Sequence, residues 1–238
     1  MSLRNSGLSA FVRCKNEEEF IVASLLSAYR VFDEIVVALN SSTDRTRELI
    51  ADLVSDHPKI RVIEYSEECS PIGPGYIERV GEQPASSLAK YYNWCTDQTT
   101  FSHVCKWDGD MIATPVFEQV RDFLSSHDVI AFDGYDVLGQ HTTDNEPRIF
   151  RYDPARAKYV DWDMYEVLQH DYSRMHTLGE KCYLHMKLIK KDWRHKTWSN
   201  PNLLASRSVP ETGVSIAPKV NKAKSFYRKV KRVLRSNP

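Results

Sequence analysis

The stretch LSAFVRCKNEEEFIVASLLSAYRVFDEIVVALN, residues 8–40, decides the fold. Its opening LSAFVRC, residues 8–14, is an apolar run that ends in polar residues and reads as a buried strand. KNEEEFIVASLLSAYRVF follows, with Phe20, Ile21, Leu25, Ala28 and Tyr29 at helical spacing. Glu17, Glu18 and Glu19 are expected in the first turn of that helix, where the backbone dipole favours negative charge. EIVVALN, residues 34–40, is a second continuous apolar strand.

Further along, SSTDRTRELIADLVSD offers capping residues and a helical pattern through Leu49, Ile50, Leu53 and Val54. KIRVIEY, residues 59–65, is a third strand. Strand, helix, strand, helix, strand implies a parallel sheet with crossover helices, hence an α/β fold. Ligands of such sheets bind beyond the carboxyl ends of the strands. Attention therefore falls on Arg13–Asn16 and Asn40–Asp44, just past the first two strands. Residues 66–87 are expected to be loop, with PIGPG at 71–75 breaking regular structure. SSLAKYYNWCTD reads as a short helix and FSHVCKW as a fourth buried strand. PVFEQVRDFLSS, with proline in its first turn, reads as another helix. DVIAFDGYDVL, PRIFRY and finally YLHMKLI, residues 183–189, are strand-like, with His185 and Lys187 on one side of the last.

The 238 residues, 42% hydrophobic and 27% charged, have the makeup of a folded globular chain and exclude a fibrous or largely disordered one. Thirty-two basic residues balance thirty-two acidic ones, so no overall field argues for a nucleic-acid partner. Cys14, Cys69, Cys95, Cys105 and Cys182 are odd in number and form no CxxC pair, which points to reduced thiols. No N-terminal apolar segment has signal-peptide length and no stretch approaches a membrane span, so a cytoplasmic protein is expected.

The sharpest chemical feature is Asp108-Gly109-Asp110, immediately after VCKW. Two carboxylates one residue apart at a strand end can converge on one cation, and the glycine permits close approach. Magnesium or manganese takes one or two carboxylates and completes its shell with water and substrate phosphates. VDWDMYEVLQH, residues 160–170, gathers Asp161, Asp163 and Glu166 among aromatic residues, a composition that suits an acceptor pocket and equally suits a solvated helix face.

These motifs resemble the family-2 glycosyltransferases, over about 185 residues from Leu8 to Trp193. VRCKNEEEF is similar to the family's opening motif, and EIVVALNSSTDRT to its second strand and Ser-Thr-Asp-x-Thr turn. KWDGDMI resembles the metal-binding DxD, and EPRIFRY the later Pro-Arg-x-Phe-Arg strand. The resemblance implies a GT-A fold with a mostly parallel central sheet flanked by helices, spanning residues 1–216. It implies an inverting, Mn2+- or Mg2+-dependent transfer of a sugar from a nucleotide-sugar donor to a glycan or lipid-linked acceptor of cell-envelope polysaccharide synthesis. Carried over by position, Arg13, Lys15 and Asn40 line the base and ribose pocket, and Lys90 and Asn93 lie on the helix that carries polar donor contacts. Asp108 holds the ribose or a metal-bound water, and Asp110, Asp108 and His185 form the metal set. Lys187 meets the diphosphate, and Glu166, with Asp163 second, is the base. The family commonly has aspartates where this chain has Leu39-Asn40, which leaves the nucleobase open.

Residues 217–238 carry eight lysines and arginines and no acid. Val220, Ala223, Phe226, Tyr227, Val230, Val233 and Leu234 recur at steps of three and four, so a basic amphipathic helix is expected. Such a helix suits peripheral attachment to an anionic membrane surface. Two other readings compete. A nucleotidyltransferase would carry a glycine-rich loop soon after the first strand, and VRCKNEEEF has no glycine. A catalytically inactive, glycan-binding relative would not need the carboxylates and His185. A dehydrogenase is disfavoured because no GxGxxG follows a strand.

Overall fold

The computed structural model describes residues 4–136 and 145–191. The first unit forms as its apolar runs dictate. β1 (Asn5–Cys14), β2 (Glu34–Asn40) and β3 (Ile60–Tyr65) are joined by α1 (Ile21–Ala28) and α2 (Thr46–Val54). After β3 come α3 (Tyr76–Glu82) and α4 (Leu88–Asp97), then β4 (Phe101–Asp108), β5 (Met111–Ala113) and the short α5 (Val120–Phe123). β6 (Val129–Asp136), β7 (Glu146–Arg151), β8 (Lys158–Asp161), β9 (Glu166–Gln169) and β10 (Met175–His185) follow.

Eight strands make one sheet in the order β3-β2-β1-β4-β7-β6-β10-β5, and β8 and β9 form a separate hairpin. Pairings β2–β3, β1–β2, β1–β4 and β6–β10 are parallel, while β4–β7, β6–β7 and β5–β10 are antiparallel. The parallel half is the one the opening sequence anticipates.

Side chains alternate across a strand, so each strand feeds both faces. From β1, Leu8, Ala10, Val12 and Cys14 join Ile21 and Leu25 of α1 and Ile50 of α2 in one core. Phe11 points the other way, into a second core with Tyr91, Tyr92 and Cys95 of α4. Cys105 and Trp107 of β4 and Ile149 of β7 belong to the first core, Val104 and Phe150 to the second. By the same parity, Arg13, Lys106, Asp108, Glu146 and Arg148 share the face covered by α4 and the β8–β9 hairpin. A period-two rule thus gathers five charges from three strands.

Several local expectations are corrected. Residues 66–87 are not all loop: Gly75, at φ +76°, opens α3, and a single 3-10 turn at Pro84–Ser86 leads into α4, capped by Ser87. The segment 115–126 is a 3-10 turn, Pro115–Gln119, running into the four-residue α5. Residues 160–170 form no helix face; they close the β8–β9 hairpin. Glu17–Glu19 form a turn that precedes α1, in which the Glu17 carbonyl accepts from Phe20 N–H at 3.1 Å and Ile21 N–H at 2.9 Å, and no acid stands in the first turn of the helix itself. β10 ends at His185, and Lys187 stands in a following 3-10 turn, not on the strand. The tail at 217–238 and the boundary after residue 216 lie outside the described residues.

Candidate active site

The loops beyond β1 and β2 are laced to each other. Asn16, at φ 56°, accepts from Thr43 N–H through Oδ1 at 2.8 Å, and its own N–H reaches Ser42 Oγ at 3.2 Å. Glu17 N–H donates to Thr46 Oγ1 at 2.8 Å, and Glu18 N–H to Asp44 Oδ2 at 3.1 Å. Asp44 Oδ1 also accepts from Thr46 N–H at 3.0 Å, bridging into the first turn of α2. The Ser-Thr-Asp-x-Thr turn therefore joins two loops at the carboxyl edge of the sheet.

Asp108, at the end of β4, is 6% exposed. Arg13 Nε donates to its Oδ1 at 2.5 Å, and Arg148 Nη1 lies 3.4 Å from its Oδ2. Burial alone would raise this carboxyl; Arg13, Arg148 and Lys106 outweigh it and hold Asp108 far below the usual carboxylate range. Arg13 also donates to the Tyr92 hydroxyl of α4. Arg148 Nη2 pairs with Glu146 Oε2 at 2.6 Å, and Lys106 Nζ reaches Glu146 Oε1 at 2.6 Å and Glu166 Oε1 at 3.3 Å. An unbroken chain runs Arg13–Asp108–Arg148–Glu146–Lys106–Glu166, with three charges of each sign.

Asp110 belongs to a different neighbourhood. His185 Nε2 lies 3.2 Å from its Oδ1 and Lys190 Nζ 3.7 Å from its Oδ2, while its carbonyl accepts from Met186 N–H at 2.9 Å. β5 and β10 pair Met111 with His185, which carries the imidazole to the turn. Between the two aspartates, Gly109 leaves no room for a side chain: a Cβ there would sit 2.8 Å from Glu17 Cγ and 3.3 Å from the Arg13 carbonyl. Glu17 is thus pressed beside the turn, its Oε1 on Lys190 at 2.7 Å and its Oε2 buried without a partner. Burial, then Asp110, pushes the Glu17 carboxyl up to about 8, against the pull of Lys190. Lys191 meets Glu18 and Glu19 in turn.

Divalent-metal ligation makes specific demands on these residues. Among the described residues no three or more His, Cys, Asp or Glu enclose an ion by themselves. Asp110 and His185 do meet at the turn, with the Glu17 carboxyl and the Lys190 ammonium beside them, so the chain offers one carboxylate and one imidazole toward an ion. That suits a hard cation which keeps waters and takes phosphate oxygens as further ligands.

The other expected residues are dispersed. Asn40 is buried and its Nδ2 donates to the carbonyls of Tyr65 at 3.3 Å and Glu67 at 2.6 Å, holding the end of β3. Lys15 pairs with Glu68 at 2.9 Å, and Lys90 is exposed on α4. Asn93 exchanges two hydrogen bonds with the Tyr159 backbone, which ties α4 to the hairpin. Asp161 accepts from Ser87 Oγ at 2.6 Å and Ala89 N–H at 3.2 Å, anchoring the start of α4. Asp163 is exposed at the hairpin turn, its carbonyl taking Ile77 N–H. Glu166 alone of that trio enters the charge chain.

Sequence reasoning passes over Lys190, reads Glu17 only as an acid of a helix turn, and quotes Lys106, Glu146 and Arg148 only as parts of motifs. A signal is present for two of them: Lys106 and Arg148 interrupt apolar strands on the parity of Asp108 and Phe150, where a lone charge needs a buried partner.

Residues 9–68 match the model of Glycosyl transferase family 2. No curated protein matches the chain significantly. Among solved structures, S. aureus TarS residues 1–349 in complex with UDP-GlcNAc is similar at 16% identity and TM-score 0.53, over 75% of this chain and 58% of that one. S. aureus TarS gives 15% identity and TM-score 0.54 over 98% of this chain and 49% of that one. The chain thus spans about half the length of these structures, 58% of one and 49% of the other. By architecture it has the GT-A fold, and its opening β1–β3 unit carries the family-2 pattern.

Proposed function

We propose that this chain is a metal-assisted, inverting glycosyltransferase that moves a sugar from a nucleotide-sugar donor to a hydroxyl of a glycan or lipid-linked acceptor. The observation that carries the reading is the division of labour within Asp108-Gly109-Asp110. One aspartate is neutralised by two arginines, while the next faces His185 and an unsatisfied glutamate at the carboxyl edge of the sheet. The family-2 match over β1 to β3 and the fold shared with a UDP-GlcNAc-bound structure support it.

In this reading Asp110 and His185, with Glu17 beside them, would hold Mn2+ or Mg2+, and its charge would offset that on the donor diphosphate. Asp108, fixed by Arg13 and Arg148, faces the donor ribose, and Lys187 contributes positive charge near the diphosphate. Asn40 and Lys15 keep the β2 and β3 ends in the shape of a base pocket, and Lys90 extends its polar rim. Glu166 accepts the proton as the acceptor O–H bond breaks and its oxygen bonds to the anomeric carbon. The bond from that carbon to the diphosphate oxygen breaks with its electron pair leaving on the nucleotide. One displacement inverts the centre and needs no covalent intermediate. Asp163, at the exposed turn, stands at the acceptor side.

No helix among the described residues is long and apolar enough to cross a membrane. A lipid-linked acceptor would instead be met through residues 217–238, where each basic side chain at an anionic surface contributes about 1 kcal/mol. Nucleic acid has no place in this reading.

A thermal-shift screen of UDP, GDP, CDP and ADP, each with and without MnCl2, tests it. Stabilisation is expected to require one nucleotide together with the metal, and to vanish in Asp110→Asn. Equal shifts in wild type and Asp110→Asn would refute the assignment, and binding without donor turnover would favour an inactive, ligand-binding relative.

A further inference from the structure

Lys106 stands where the charge chain divides. Its side chain is 9% exposed and that of Glu166 8%. The ammonium lies against the rings of Tyr92 at 5.5 Å and Tyr159 at 5.9 Å, in a setting that excludes water. There it serves two glutamates unequally: 2.6 Å to Glu146 and 3.3 Å to Glu166. Glu146 is itself divided, with its second oxygen on Arg148. The groups that act on Glu166 come from four elements, Lys106 of β4, Arg13 of β1, Tyr159 of β8 and Tyr76 of α3, and Glu146 of β7 meets the same lysine. Lys106 is the cation in hydrogen-bonding reach of Glu166 among the described contacts.

An ammonium shared by two carboxylates fixes the orientation of both through charge-assisted hydrogen bonds, and in a site of low polarity such contacts are strong. We propose that Lys106 is a positioning residue that holds the Glu166 carboxylate in place for proton transfer, with Glu146 anchoring the lysine from its other side. The inference rests on Glu166 being the proton acceptor of the proposed transfer. It adds a pair, Lys106 and Glu146, that acts on the base and not on the reacting atoms.

Steady-state kinetics of the full chain test this, with manganese, acceptor and the nucleotide sugar that stabilises the protein most. Lys106→Met is expected to lower kcat by about tenfold or more while the donor KM stays within about twofold of wild type, and Lys106→Arg to recover most of that loss. Glu146→Gln, which loosens the lysine, should lower kcat by a smaller factor with KM again unchanged. A wild-type kcat in Lys106→Met, or a Lys106→Arg enzyme as slow as Lys106→Met, overturns the proposal. Should Lys106→Met fail to fold, Glu146→Gln decides alone, since an undiminished kcat there is equally fatal. Undiminished transfer by Glu166→Gln would instead sink the base assignment, so the two failures can be told apart.

Discussion

Two buried clusters of charge lie at opposite ends of the parallel strands, and they are built differently. At the amino edge, Glu34 of β2 accepts from Ser9 Oγ at 2.6 Å, Thr100 N–H at 2.8 Å, Thr100 Oγ1 at 3.2 Å and Arg61 Nε at 3.0 Å. Nearby, Asp33 takes Leu8 N–H at 2.8 Å and pairs with Arg121. These carboxylates are saturated by fixed donors, two of them backbone N–H groups. At the carboxyl edge, charge is met by charge, and Arg148 Nε, Glu17 Oε2 and the Tyr159 hydroxyl remain buried without partners. A saturated carboxylate has nothing left for a ligand, whereas a charge network with open positions does. The contrast separates scaffold from site without reference to family.

The comparison breaks most sharply at Arg148. Arg148→Met strands Asp108 and Glu146 without their shared cation, and a loss of about 3–5 kcal/mol in unfolding free energy is expected. Urea titration measures it; a loss under about 1 kcal/mol would mean that the chain Arg13 to Glu166 is not a coupled unit.

Next in size is a pH effect at the amino edge. Burial first, then Arg151, lowers the His103 imidazole to about 4 from 6.5. Its folded form stays neutral where the unfolded chain takes up a proton, so stability is full above pH 6.5 and declines as pH falls toward 4. The decline amounts to at most about 3 kcal/mol, because each pH unit between the folded and unfolded midpoints is worth about 1.4 kcal/mol. His103→Gln should flatten that part of the stability curve measured by thermal melts; an unchanged slope would count against it.

Glu34→Gln should cost about 1–3 kcal/mol, because it weakens hydrogen bonds to Ser9, Thr100 and Arg61. It should leave donor turnover per folded molecule at the wild-type value. A catalytic defect there would erase the distinction between the two edges. Smallest is Asn93→Ala, which removes a side-chain pair to the Tyr159 backbone and should lower stability by about 1–2 kcal/mol in the same titration.

Much of this is legible in the sequence where local physics decides. β2 can be read over its full span, Glu34 to Asn40, because a parallel strand covered on both faces is a continuous apolar run. The Asp108-Gly109-Asp110 turn stands out because it follows such a run. What pairs with what is not legible. Nothing in VCKW or EPRIFR says that Lys106 and Glu146, forty residues apart, share an ion pair, since antiparallel β7 must first be inserted beside β4. Asn40 and Asn93 read as donor contacts in sequence, yet the amide nitrogen of each donates to a backbone carbonyl. α3 escapes notice because PIGPG, a true breaker, stands directly before it and obscures where the breaking ends.

Rates of nucleoside diphosphate release from the nucleotide sugar that stabilises the protein most, with manganese and acceptor present, address the separation of Asp108 and Asp110 head on. Asp110→Asn is expected to slow release by about 100- to 1000-fold while melting close to wild type. A variant that melts normally and releases product at the wild-type rate would contradict the assignment of Asp110 to the reacting diphosphate.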